Sequence, residues 1–170
     1  MKKQPGPTAQ AAHTAWWQIG EVVFGSPLLA AILLQWLIPL PLLSYLPSAL
    51  LRIGGSLLIV IGIALIVLTR REFARYQQPT DPGRPTSKVI TSGPFAFSRN
   101  PLYLGAALFV LGVTFVAQLS WMLLLFIPML LACHLLLIRP EERYLLRLFG
   151  EEYQSYTRRV FRWFGRAKKL

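Results

Sequence analysis

Long stretches without a charged residue alternate along this chain with short segments crowded by arginine. The first stretch runs from Val22 to Leu51, and its most continuous apolar part, residues 22–43, is 22 residues long. About 20 residues at a helical rise of 1.5 Å cross the hydrocarbon core of a bilayer, so residues 22–43 predict a first span. Pro39, Pro41 and Pro47 crowd its end, where a helix must stop and turn. Residues 53–69 predict a second span containing Gly54, Gly55 and Gly62. Small residues let helix backbones approach closely in lipid, which gives this helix a central packing position. Residues 70–100 then form a polar segment of 31 residues with four prolines and six basic side chains. The next stretch, residues 100–138, has no charge over 39 residues, about 58 Å as one straight helix. That exceeds a hydrocarbon core of about 30 Å, so it divides into spans 101–117 and 121–138. These form a hairpin at Gln118-Leu119-Ser120, with Ser120 as N-cap of the returning helix. Residues 139–170 alternate charge with apolar and aromatic positions at helical spacing, as amphipathic helices at a membrane surface do.

The pattern as a whole predicts an all-α, polytopic membrane helix bundle, with about four transmembrane helices plus amphipathic C-terminal helices. The chain of 170 residues reads as one membrane domain with a polar N-terminal tail, residues 1–15. Composition agrees, since 54% of residues are hydrophobic and 15% charged, against roughly a quarter charged in soluble domains. The net charge of +11 raises the possibility of nucleic-acid binding, but the charge follows membrane topology instead. Four spans place both termini and the 70–100 loop on one side, together with 17 of the 18 basic residues, leaving Arg52 opposite. The positive-inside rule makes the crowded side cytoplasmic, in an inner or cytoplasmic membrane. No zinc-finger, helix-turn-helix or RNP pattern is present, so no nucleic-acid partner is expected. Lys2 and Lys3 lead into a polar segment rather than an apolar one, unlike a signal peptide. Cys133 is the single cysteine, and His13 and His134 are isolated, so no metal site is expected.

Polar residues gather at the cytoplasmic ends of the third and fourth spans. Gly93-Pro94 makes a turn, and Asn100 followed by Pro101 is a helix start, an N-cap before an N1 proline. Tyr103 lies one turn inside the third span, and Gly105 leaves room beside it for a ligand or another helix. Pro140 can occupy the first turn of a new helix, with Glu141 and Glu142 following at the mouth of the fourth span. A hairpin makes residues 100–103 and 139–142 neighbours. Taken singly these are ordinary interface residues: a cap, a belt tyrosine, and carboxylates paired with Arg99, Arg139 or Arg143.

The combination nevertheless resembles a family. Ser92-Gly93-Pro94-Phe95, then Ser98-Arg99-Asn100-Pro101-Leu102-Tyr103-Leu104-Gly105, then Glu141-Glu142 after an apolar hairpin, then Phe149-Gly150-Glu151-Glu152-Tyr153 with Tyr156, Arg159 and Val160 are similar to the isoprenylcysteine carboxyl methyltransferase and phospholipid methyltransferase superfamily. These are integral membrane enzymes that move a methyl group from S-adenosylmethionine to a lipid-like acceptor, leaving S-adenosylhomocysteine. The resemblance implies backbone contacts to the cofactor from Ser87, Lys88, Val89 and Ile90, aromatic packing from Phe95, and cofactor contacts from Asn100, Pro101, Leu102 and Tyr103. It maps the cofactor-holding carboxylate onto Glu141, with Glu142 beside it. Carboxylates suit the cofactor's hydroxyls and cationic amino-acid end, and aromatic faces suit its sulfonium.

Two positions depart from the isoprenylcysteine pattern. The histidine after the motif arginine is Asn100 here, which does not titrate near neutral pH. The substrate-orienting arginine of that branch aligns with Leu137. Arg139, two residues on and about 200° around a helix, is the candidate to orient an anionic substrate head, with Tyr103 beside the reaction point. The expected function is methyl transfer at the cytoplasmic membrane face to a lipophilic small molecule or membrane lipid, whether a prenylcysteine carboxylate, a phospholipid amine or similar. Two alternatives stand beside it: a lipid- or sterol-type reductase on a related scaffold, and a non-catalytic membrane subunit.

Overall fold

A computed structural model describes residues 20–78 and 86–167. The polar N-terminal tail, Arg84 and the last three residues lie outside the described part. Six α-helices follow one another: α1 (Gly20–Leu37), α2 (Ser48–Arg75), α3 (Pro101–Val116), α4 (Ser120–Ala132), α5 (Arg139–Phe149) and α6 (Glu151–Arg159). No β-strand occurs among the described residues, where an isolated bridge between Val160 and Arg166 is the only extended pairing.

The helix ends follow from local chemistry. α1 stops at Leu37, short of the expected residue 43, because Pro39 disfavours helical backbone at the residue before it. α2 runs for 28 residues, beyond the expected 53–69 at both ends. Arg70 and Arg71 end the apolar stretch but not the helix, since arginine is a good helix former. The 70–100 segment is therefore helical to Arg75. α4 passes without a break through a π-helical turn, Cys133–Ile138, into α5. Pro140 has no N–H for the Leu136 carbonyl, and its ring crowds that carbonyl; the wider π turn sits where this conflict arises.

Glycine sets the contact between α2 and α3, which run antiparallel. Gly55 faces Gly112 and Gly62 faces Gly105. A methyl group built on Gly55 would lie 2.7 Å from the Gly112 carbonyl oxygen, and one on Gly62 would lie 2.7 Å from that of Gly105. Seven residues are nearly two turns, so each helix presents both glycines on one face. The space beside Gly105 is thus taken by α2. The expected hairpin exists as a tight turn with Gln118 at φ 52°. Its two arms nevertheless pack mainly on other partners, α3 on α2 and α4 on α1. Small residues draw α3 to α2, whereas Met122 and Met129 of α4 fill a core with Val23, Phe24 and Ala31 of α1.

Both ends of the bundle are tied. At one, the Trp121 indole N–H donates to the Ile38 carbonyl at 2.7 Å and the Leu43 N–H to the Ser120 hydroxyl at 3.1 Å. Ser120 is the first residue of α4 and not its cap: its oxygen is spent on the α1–α2 connection, and Leu119 holds the cap position. The opposite end gathers Gly20, the C-terminus of α2, the N-terminus of α3 and everything from Arg139 onward. Outward faces carry exposed Leu29, Trp36, Leu57, Val60, Ile127 and Leu131, a coat suited to lipid and not to water. α1, α2 and the continuous helix Ser120–Phe149 are long and apolar enough to cross a membrane; α3, with 16 residues, is shorter. The molecule is a membrane helix bundle.

The glycine faces make a stability prediction. Gly62→Val drives a side chain into the α3 backbone, and overpacking costs about 1–3 kcal/mol. Gly54 has nothing within 4 Å of an added methyl. Thermal unfolding in detergent is expected to show a lower midpoint for Gly62→Val and an unchanged one for Gly54→Val. Equal midpoints would contradict the packing described.

Candidate active site

The site is assembled where α2, α3 and α5 end together. The turn leading into α3 is anchored from below by α2. A 3₁₀ turn, Gly93–Ala96, opens with Gly93 at φ 56° directly over the Glu72 carboxyl, where a methyl group would come within 3.1 Å. The Ser92 hydroxyl donates to Glu72 and pairs with the Tyr76 hydroxyl at 3.0 Å. Phe95 is buried edge-on against Phe73, with centroids 5.3 Å apart. Glu72 was invisible as a site residue in the sequence, since it sits among arginines that suggest a solvated face. The helix continuing past the apolar span turns it inward.

A C-terminal strap fastens the same turn from above. Residues 160–167 leave α6 and fold back on residues 96–100. The Arg99 N–H donates to the Phe161 carbonyl at 3.1 Å and the Gly165 N–H to the Phe97 carbonyl at 2.7 Å. Phe164 packs edge-on against Phe97 at 5.7 Å. The Tyr156 hydroxyl, whose pKa is raised by burial, donates to the Phe95 carbonyl at 2.8 Å. Asn100 occupies the position before α3 but does not cap it with its side chain. Its amide instead donates to the Arg162 carbonyl at 3.0 Å, and its N–H to the Ser98 hydroxyl at 3.1 Å. The expected N-cap is a tie to the strap. Short-range patterns cannot reveal it, because the partners are 62 residues apart.

The two adjacent carboxylates have different fates. Successive helical residues project about 100° apart. Glu141 meets α3: the Tyr103 hydroxyl donates to its Oε2 at 3.1 Å. Glu142 meets the strap and the motif arginine, with Arg162 at 2.7 Å and Arg99 at 3.2 Å. That bond to Glu142 is the main reason the Arg162 pKa is raised. Sequence reading offered Arg99, Arg139 or Arg143 as partners; Arg99 is one, and Arg162 was missed. Leu137, at the family's arginine position, is fully buried. Arg139 and Arg143 are exposed and line an open cavity of about 560 Å³, together with Arg99, Glu142 and Arg162.

The remaining expected residues divide into two sets. Val89 and Ile90 are buried, Val89 against Tyr153, Tyr156 and Val160. Their backbone groups bond to no other described residue. Pro101 is buried and Leu102 half-buried at the start of α3. Ser87 is already engaged, its N–H donating to the Gln78 side-chain oxygen at 2.9 Å and its hydroxyl accepting from Gln78 at 2.8 Å. The Lys88 ammonium lies over the Tyr76 ring, 4.9 Å from its centroid.

The donor set can be compared with the needs of S-adenosylmethionine, whose hydroxyls and ammonium require acceptors. Glu141 retains an oxygen without a described partner, and the carbonyls of Val89 and Ile90 accept from no described residue. These fit. Glu142 fits poorly, since both its oxygens are bonded to arginines; the Ser87 N–H and hydroxyl engage Gln78, while its carbonyl has no described partner. Phe95 is packed against Phe73 in an edge-to-face pair.

A family model described as phospholipid methyltransferase matches residues 50–152, more than half of the chain. The match runs from α2 into the first residues of α6, and so contains Asn100, Tyr103, Glu141 and Glu142. No curated protein and no solved structure matches the chain.

Glu142 and Arg162 give the strap its charged anchor. Removing one partner of a buried pair costs about 3–5 kcal/mol, less here because the Arg162 side chain is 38% exposed. A double-mutant cycle with Glu142→Gln and Arg162→Gln is expected to show coupling of about 1–3 kcal/mol in unfolding free energy. Additive effects would place the strap's hold elsewhere.

Proposed function

The chain belongs to the phospholipid methyltransferase family, and on that premise we propose that it is an integral membrane enzyme transferring a methyl group from S-adenosylmethionine to a lipid-like acceptor at the cytoplasmic membrane face. The observation that carries the proposal is the contact between Tyr103 and Glu141, 38 residues apart and joined at the mouth of the bundle. Asn100 lies one helical turn before Tyr103, the backbone groups of Val89 and Ile90 bond to no described residue, and the outer helix faces are apolar.

In this reading S-adenosylmethionine, when bound, supplies an electrophilic methyl on a cationic sulfur. The free oxygen of Glu141 accepts from the ligand while Tyr103 fixes the carboxylate's orientation through its own hydroxyl. Val89 and Ile90 hold by main-chain groups, which no side-chain change removes. Asn100, tied to the strap, keeps the start of α3 in register. Methyl transfer is an in-line displacement, so the contribution of these residues is alignment. The acceptor enters sideways from lipid, since the outer surfaces of the helices are apolar. All four long helical segments cross the membrane in this arrangement, α3 as the antiparallel mate of α2, and both chain ends face the cytoplasm with the basic residues.

Glu141→Gln keeps shape and removes charge. A hydrogen bond to a charged partner contributes about 1.5–3 kcal/mol, roughly ten- to a hundredfold in affinity. Calorimetry on monodisperse protein is expected to show that loss in S-adenosylmethionine affinity with an unchanged fold. An unaltered affinity would return Glu141 to a structural role. Binding of a nicotinamide cofactor instead would favour the reductase reading, and binding of neither would favour the non-catalytic one.

A further inference from the structure

The cavity between α5, α6 and the strap carries more positive charge than the fold itself uses. Four guanidinium groups line it: Arg99, Arg139, Arg143 and Arg162. Glu142 is the one carboxylate in the lining, and it is already bonded to both Arg99 and Arg162. The lining side chains therefore hold three net positive charges. Arg139 and Arg143 make no ion pair with a described carboxylate, and the Arg143 Nε donates only to the Arg139 carbonyl, at 3.4 Å. The Arg99 Nε is buried and has no acceptor among the described residues.

We infer that this cavity seats the phosphate of an anionic membrane lipid, a headgroup with net negative charge and no ammonium. Guanidinium forks match phosphate oxygens in shape and charge. Basic pockets on the cytoplasmic side of helix bundles suit such heads. A zwitterionic head fits less well: its ammonium would need a carboxylate, and the cavity's only one is spent on two arginines. The lipid source is favoured by position. The cavity lies at the charged end of the bundle, directly after the last apolar span, and Leu146 in its lining is 47% exposed, giving acyl chains an apolar edge beside the charged floor. Arg139 then serves this lipid, a different partner from the methyl acceptor that the sequence suggested. The inference does not rest on methyl transfer, because a head without an amine offers no nitrogen to methylate and the test reads lipid affinity alone.

The test is calorimetric titration of full-length protein in detergent with three probes: dihexanoyl phosphatidylglycerol, dihexanoyl phosphatidylcholine and inorganic phosphate. Saturable binding of the phosphatidylglycerol is expected, with the phosphatidylcholine at least about tenfold weaker. Arg143→Gln should weaken phosphatidylglycerol binding about tenfold, the loss of one charge-assisted bond. Arg143 is exposed and holds no other described side chain, so the variant should fold, as circular dichroism would check. Arg70→Gln with Arg71→Gln, two exposed cations at the same end but outside the cavity, should leave binding intact. Equal affinity for the two lipids, no effect of Arg143→Gln, or an equal loss in the Arg70/Arg71 variant would overturn the site. Inorganic phosphate binding as tightly as the lipid would overturn the lipid assignment.

Discussion

The close approach of α2 and α3 through four glycines is the constraint on which the rest of the molecule depends. In lipid, no hydrophobic force drives helices together, so association relies on backbone proximity and dispersion. Gly55 with Gly112 and Gly62 with Gly105 supply that proximity. The contact also fixes where the two helices emerge from the apolar layer. α2 continues past it for about two turns, carrying Glu72, Phe73 and Tyr76 to the underside of the turn at residues 92–95. α3 starts at Pro101, immediately beyond the same turn. The loop is thus held at its floor by one helix and at its exit by the other, with a fixed offset between them.

Electrostatics finishes what packing begins. Glu141 and Glu142 are chemically alike, yet the helix sends one toward Tyr103 and the other toward Arg99 and Arg162. The first keeps an oxygen available. The second is saturated and works as a clasp, joining the motif arginine to the strap. A single carboxylate between two guanidinium groups is tolerated in a partly buried place because each charge has an opposite neighbour. The asymmetry gives Glu142 an architectural role and leaves Glu141 as the carboxylate that the proposed function uses.

How much of this was legible in the sequence depends on range. The all-α class, the helices and their approximate positions follow from hydropathy, and the family follows from the order of Ser92–Gly105, Glu141-Glu142 and Phe149–Tyr153. Helix ends were less readable: α1 ends at Leu37, before Pro39 and short of the expected residue 43, and α2 continues past Thr69, where charge alone suggested a boundary. The pairing of α3 with α2 was half visible: glycines marked α2 as central without naming its partner. The strap was not legible at all. Most of its hydrogen bonds to residues 96–100 use backbone groups of residues 160–167, and backbone groups leave no trace in residue identity. Asn100 and Ser120 show the same limit, since each has the chemistry of a cap and spends it on a distant partner.

In the proposed function, the charged end of the helix bundle places a water-soluble methyl donor against a lipid. The most direct measurement supplies purified full-length protein with methyl-tritiated S-adenosylmethionine and a total membrane lipid extract, then follows the label into the organic phase. Time-dependent transfer of tritium to an extractable lipophilic product, proportional to enzyme, is expected. Label that stays in the aqueous phase, with protein shown to bind S-adenosylmethionine, would contradict a lipid-like acceptor.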